Sequence, residues 1–221
     1  LGDHGISPLH AGIEMSEHLK AKGYHCPVAI HYDDLPENVT VKELFGTMRK
    51  DDVIAHVFQT KAETIFDENG KIKDCVWDAK KRGVYMDDCH GRVHWSYPNL
   101  QNAFSQSFYP DIISSDLVRV SEYTRPGFSL LYAMSVNSAA GMPTEKILQS
   151  VTYTPAKSLG IEEKAGVIRE GAPADVAILD IRDVKDKTFT DNYGNSISGN
   201  KLFVPLMTVK GGRTAYRQIF F

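Results

Sequence analysis

The chain has no apolar run approaching the roughly 20 residues needed to cross a bilayer, so its sequence shows no helical membrane span. It also lacks an excess of charge of either sign. Its 25 Lys+Arg against 28 Asp+Glu give a formal net charge of −3, which argues against broad electrostatic attraction to nucleic acid or an anionic membrane. Cysteine is scarce: Cys26, Cys75 and Cys89 are odd in number and have no CxxC spacing. That pattern argues against a disulfide framework and points to a reducing, cytoplasmic compartment. The first residue is Leu1, and LGDHGISPLH has neither a charged n-region nor an apolar h-region, so no signal peptide is visible. Repeats and low-complexity tracts are absent, and so is any HxH pair among the 221 residues.

What is there is an alternation. Ser7 to Lys22 reads as a helix: Ser7 caps it, Pro8 suits its first position, Leu9, Ile13 and Leu19 form an apolar stripe, and Gly23 ends it. CPVAIH is a short apolar run that predicts a buried parallel strand ending at His31. VTVKELFGTMRK reads as a helix and DVIAHVF as a second buried strand carrying His56. CVWDAKKRG reads as a helix, VYMDDCHG as a third strand, NLQNAFSQS as a helix, and PDIISSDL as a fourth strand ending near Asp116. Two more helices are expected in FSLLYAMSVNSAAG and PTEKILQSVTYTPAKSLG. Strands alternating with helices at this spacing imply an α/β fold around a parallel sheet. After Gly160 the texture changes to short strands and turns, including the polar stretch TDNYGNSISGN, which predicts a separate small β module over residues 161–221.

Three chemically capable residues stand at the carboxyl ends of three expected strands: His31, His56 and Asp116. In parallel α/β folds sites assemble at that end, because the strand fixes the residue while the following loop stays free. A neutral imidazole is a good zinc ligand, and a carboxylate can act as ligand and proton acceptor. A lone histidine after an apolar run is more often a capped or core residue, but three such groups at equivalent strand ends favour a metal site. His90, in DDCHG after the third strand, projects to the same mouth and is a candidate to bind substrate. Asp87, Asp88, Arg92 and His94 share its loop and read as solvated loop residues, and His4, His10, His18 and His25 as surface residues beside the first helix. Asp3 and His4 precede that helix and could face the site. Cys89 as a thiol nucleophile lacks a second histidine clearly placed to activate it, so metal-assisted hydrolysis explains more of the pattern.

PVAIH, DVIAHVF and PDIISSDL resemble the fifth, sixth and eighth barrel strands of amidohydrolase-superfamily enzymes. TPAKSLGIEEKAGVIREGAPADVAILD resembles the segment in which the last barrel helices pass into a β-sandwich, and the likeness is greatest to the dihydroorotase-like amidohydrolase/deacetylase group. The resemblance implies the C-terminal half of a (β/α)8 TIM-like barrel over residues 1–160, followed by a small β-sandwich module over 161–221. It implies a divalent metal site, two Zn2+ in many relatives, in which His31 and His56 ligate one metal. Asp116 touches the other and exchanges a proton with a metal-activated hydroxide. It also implies that an HxH pair and a bridging, carboxylated lysine lie outside this chain, in a missing N-terminal segment carrying strands one to four. The expected function is hydrolysis of an amide, cyclic amide or ester bond in a small molecule. Arg92, Arg119 and Arg125 are candidates to meet a substrate carboxylate, although each also reads as a surface residue. Self-association, common among such enzymes, is left open. Two alternatives remain at this point: a mononuclear-zinc deaminase of the same superfamily, and a non-catalytic barrel protein.

Overall fold

The structure, a computed structural model, describes residues 4–61, 63–91, 93–119, 121–122 and 129–219. Helix α1 (Ser7–Ala21) opens with Pro8 in its first turn, where the missing N–H costs nothing. Its N-cap position is Ile6, without a side-chain cap, so Ser7 begins the helix rather than capping it. Gly23, at φ +86°, closes the other end while the N–H of Tyr24 reaches back to the carbonyl of Leu19.

Three short strands follow, β1 (Ala29–His31), β2 (Val53–Ala55) and β3 (Tyr85–Asp87), parallel and in that order. Ile30, Ile54 and Met86 lie side by side in register and are buried, so a continuous apolar layer supports the row His31, Ala55, Asp87 at the carboxyl ends. Between β1 and β2 runs α2 (Val41–Thr47), whose cap Thr40 accepts from the N–H of Glu43 at 3.1 Å. Such a cap stabilises a helix by about 1 kcal/mol. It is shorter than VTVKELFGTMRK suggests, because Met48 turns extended and Arg49 bonds to buried Asp52. Between β2 and β3 lies α3 (Asp74–Arg82), ended by left-handed Gly83.

After β3 comes α4 (Tyr97–Ser105), capped by Ser96. The fourth strand expected in PDIISSDL does not form as a ladder. Residues 111–114 run beside β3 with one parallel bridge, Asp87 to Ile112, and main-chain bonds from Asp88 to Ile112 and from His90 to Ser114. The pairing breaks for two reasons: Cys89 is left-handed at φ +38°, and side-chain carboxylates replace carbonyls as acceptors, Asp111 for the N–H of Met86 and Asp88 for that of Ser114.

Helix α5 (Leu130–Ala139) is capped by Ser129. The helix expected in PTEKILQSVTYTPAKSLG is two, α6 (Thr144–Val151) and α7 (Tyr153–Ser158). Pro155 would clash with the carbonyl of Val151 in a continuous helix, so the chain breaks at Thr152.

Residues 176–217 form one antiparallel sheet of β4 (Val176–Thr190), β5 (Ser196–Lys210) and β6 (Arg213–Arg217). A sandwich needs a second facing sheet, and among the described residues α5 covers part of this ribbon instead. Phe203 N–H donates to the Ser135 hydroxyl at 3.0 Å, and Phe189, Ile197 and Phe203 join the core shared with β1 to β3 and their helices. Asp191 shapes the turn by accepting from the N–H groups of Tyr193 and Asn195, and its second oxygen accepts from Tyr97 N–H at the start of α4. The β region is therefore fastened to the α/β part rather than set apart from it.

Candidate metal centre

His31 ends β1 and His56 follows β2 by one residue, in the left-handed conformation at φ +65°. Asp116 is left-handed too, at φ +45°. Left-handed backbone is uncommon for residues with a Cβ and gathers where a site holds it in place. Here these kinks turn side chains that a straight strand would direct elsewhere toward one mouth.

The two imidazoles converge. His56 Nε2 and His31 Nδ1 are 3.0 Å apart. His56 is buried, and its Nδ1 lies 2.8 Å from the main-chain oxygen of Cys89. A carbonyl only accepts, so Nδ1 carries the proton. Burial, with His31 and His94 nearby, pushes the ring pKa down to about 3, so it is neutral and Nε2 presents a lone pair toward His31. Ligating atoms of His56, Cys89 and Asp116 lie within 4.8 Å of one another, as do those of His31, Asp33 and His94. Burial raises the Asp116 carboxyl above its ordinary range, against the opposing pull of His94 and His31. Burial also holds the Cys89 thiol protonated, which removes it as a ready nucleophile.

The donor set fits a divalent metal of the zinc class. Zn–N bonds of about 2.0–2.1 Å in a tetrahedral site place neighbouring ligand nitrogens about 3.3 Å apart, near the observed spacing of His31 and His56.

His31, His56 and Asp116 thus come together. His90 is nearby but fully buried, its ring packed on Trp95 at 3.4 Å between centroids and 5.5 Å from Tyr132. Its Nε2 has no hydrogen-bond partner, and burial keeps the ring neutral. Arg119 is exposed, while Asp3, Arg92 and Arg125 lie outside the described residues. Two residues were not singled out by sequence reasoning. His94 is not in a solvated loop: its ring centroid is 4.9 Å from that of His31 and 4.7 Å from that of His56. Asp33 stands beside both His31 and His94. The spacing His31-x-Asp33 was the available signal, since alternate residues leaving a strand point the same way.

The fold and site define an α/β protein with a histidine- and carboxylate-rich centre at the carboxyl ends of parallel strands. The chain belongs to the amidohydrolase family, whose model matches residues 14–215. It is similar to a deacetylase of Enterococcus faecalis, 28% identical over 214 residues, covering 96% of this chain and 56% of that protein. A deacetylase of Brucella anthropi is likewise 28% identical, over 99% of this chain and 52% of its own length. A dihydroorotase of Lactobacillus delbrueckii subsp. bulgaricus is 33% identical over 96 residues, 41% of this chain and 22% of that protein. Among solved structures, an adenine deaminase superposes with a TM-score of 0.87 at 27% identity, over 99% of this chain and 57% of its own. A dihydroorotase superposes at 0.79 and 24% identity, over 96% of this chain and 53% of its own, and shows the shared fold alone. The chain spans about half the length of these full-length matches, 56% and 52% of the two deacetylases. No helix among the described residues is long and apolar enough to cross a membrane.

Proposed function

We propose that this chain carries part of the active site of a metal-dependent hydrolase that cleaves an amide or ester bond in a small molecule, of the deacetylase type. The observation that carries the reading is the pair His31 Nδ1 and His56 Nε2 at 3.0 Å, with Asp116 at the same mouth. In this reading β1 to β3 are an arc of a (β/α)8 barrel and residues 161–221 belong to a small β module. An HxH pair and a bridging lysine come from outside these 221 residues.

His31 and His56 would hold the metal, and Asp116 would face it. When bound, a divalent cation lowers the pKa of a coordinated water to about 7 and polarises a carbonyl. Asp116 accepts a proton as water adds to the substrate carbonyl. It returns that proton to the leaving nitrogen or oxygen as the acyl bond breaks, so the carboxylate is regenerated. His90 would meet the substrate through its unpartnered Nε2, which is buried beside Trp95 and Tyr132 and is reached only if those rings shift. The deacetylase type rests on two relatives named deacetylases that match nearly the whole chain.

Metal analysis of the full-length protein, beside a His31→Ala/His56→Ala double variant, tests this. About two equivalents of metal, sharply reduced in the variant, is the expected result, followed by turnover in a screen of N-acyl and ester substrates. About one equivalent shifts the reading to a mononuclear, deaminase-like site. No metal in either protein overturns it.

A further inference from the structure

His31 has two ring nitrogens and two different neighbours. Nδ1 faces His56 Nε2 at 3.0 Å, while Nε2 lies 3.6 Å from Asp33 Oδ2. Asp33 is itself anchored, because Lys61 Nζ donates to Oδ2 at 3.2 Å. Its other oxygen, Oδ1, is 3.3 Å from His94 Nδ1, and both atoms are buried without an aligned hydrogen bond. A bare surface ion pair between Lys61 and Asp33 would need neither the two imidazoles nor this burial.

We propose that Asp33, anchored by Lys61, is a positioning residue that selects the tautomer of His31 and so makes the His31–His56 pair a metal-binding pair. The inference rests on the reading that this pair holds the metal. His56 already uses its one N–H on the Cys89 carbonyl, leaving a lone pair on Nε2. His31 then has two choices. With the proton on Nδ1 it donates to His56, and the pair closes on itself with no lone pair left between the rings. With the proton on Nε2 it points that N–H at the Asp33 carboxylate, and two lone pairs face each other across 3.0 Å. That second arrangement is repulsive by itself and is relieved by a cation between the rings. A carboxylate beside Nε2 favours it, as carboxylate partners do for metal-bound histidines generally. Lys61 keeps the carboxylate from swinging to solvent, and His94 bounds its other side.

The test uses the full-length protein with Asp33→Ala and Lys61→Ala, Co2+ as the probe metal, and ¹⁵N ring shifts of His31 in the metal-free state. Asp33→Ala should weaken Co2+ binding about 10–100-fold and shift His31 toward the Nδ1–H form. Lys61→Ala should move both readouts the same way by less. Wild-type affinity and an unchanged Nε2–H tautomer in Asp33→Ala would overturn the inference, and so would weaker binding with no change of tautomer. If Asp33→Ala does not fold, Lys61→Ala decides, since its side chain is 38% exposed and its loss leaves no buried gap. A wild-type protein that binds no Co2+ would sink the proposed function. The ring shifts would still decide the role of Asp33.

Discussion

The Cβ that Gly91 lacks would stand 2.6 Å from Oδ2 of Asp116, so the carboxylate occupies the space a side chain would fill. Gly91 also sits at φ +47°, where a Cβ is disfavoured by about 1–2 kcal/mol. Gly91→Ala should therefore displace Asp116 as well as strain the loop. A shift of about 1 Å in a reacting group can lower turnover about 100-fold. Hydrolytic kcat beside thermal unfolding checks this: a large loss of kcat with only a few degrees of Tm is expected.

Asp116→Asn keeps the shape of the side chain and removes the proton acceptor. Activity on whichever amide or ester is turned over should fall about 10²–10⁴-fold while the fold persists. Retention of wild-type kcat would remove Asp116 from the mechanism.

Behind the site, Asp88 is fully buried, bonded at Oδ2 by Asn137 Nδ2 at 2.7 Å. Burial, with Asp87 adjacent, pushes its carboxyl well above the ordinary 3.8. Burial likewise pushes Asp87 up to about 6. The folded state thus keeps protons that the unfolded chain releases. The stability these groups contribute is complete below their ordinary value of 3.8; for Asp87 it is lost as pH rises through about 6, and for Asp88 as pH rises through its own raised value. Asp88→Asn, which cannot ionise, should gain Tm over the wild type at pH 7 and lose that advantage at pH 4. An equal difference at both pH values would show that Asp88 does not titrate in this window.

The ribbon is held against α5 by a close approach. A Cβ on Gly199 would lie 2.5 Å from Cβ of Ala139 and 3.1 Å from its Cα. Gly199→Ala should cost about 1–3 kcal/mol by overpacking. Urea unfolding measures it, and metal content should stay at the wild-type level because neither Gly199 nor Ala139 is among the proposed metal-holding residues.

Much of the site was legible in order along the chain. Apolar runs ending in His31 and carrying His56 stand out because a buried parallel strand must be apolar throughout, so a polar residue at its carboxyl end is conspicuous. The expectation of a fourth strand was less successful: PDIISSDL has the right composition, yet its pairing depends on what β3 offers. The carboxylates of Asp88 and Asp111 take donors that a ladder would use. The break at Thr152 was readable in Pro155 but was outweighed by the helical period around it.

The sequence by itself determined the alternation of strands and helices and the placing of His31 and His56 at strand ends. Both depend on near neighbours and on the periodicity of apolar side chains. Only the tertiary structure decided that His94 and Asp33, 61 positions apart in the numbering, stand 3.3 Å from each other beside His31, and that Asp191 pins the ribbon to α4. The physical reason is that such contacts depend on parallel register and on the left-handed turns at His56, Cys89 and Asp116. Those turns are held by packing from remote segments, and no local residue pattern specifies them.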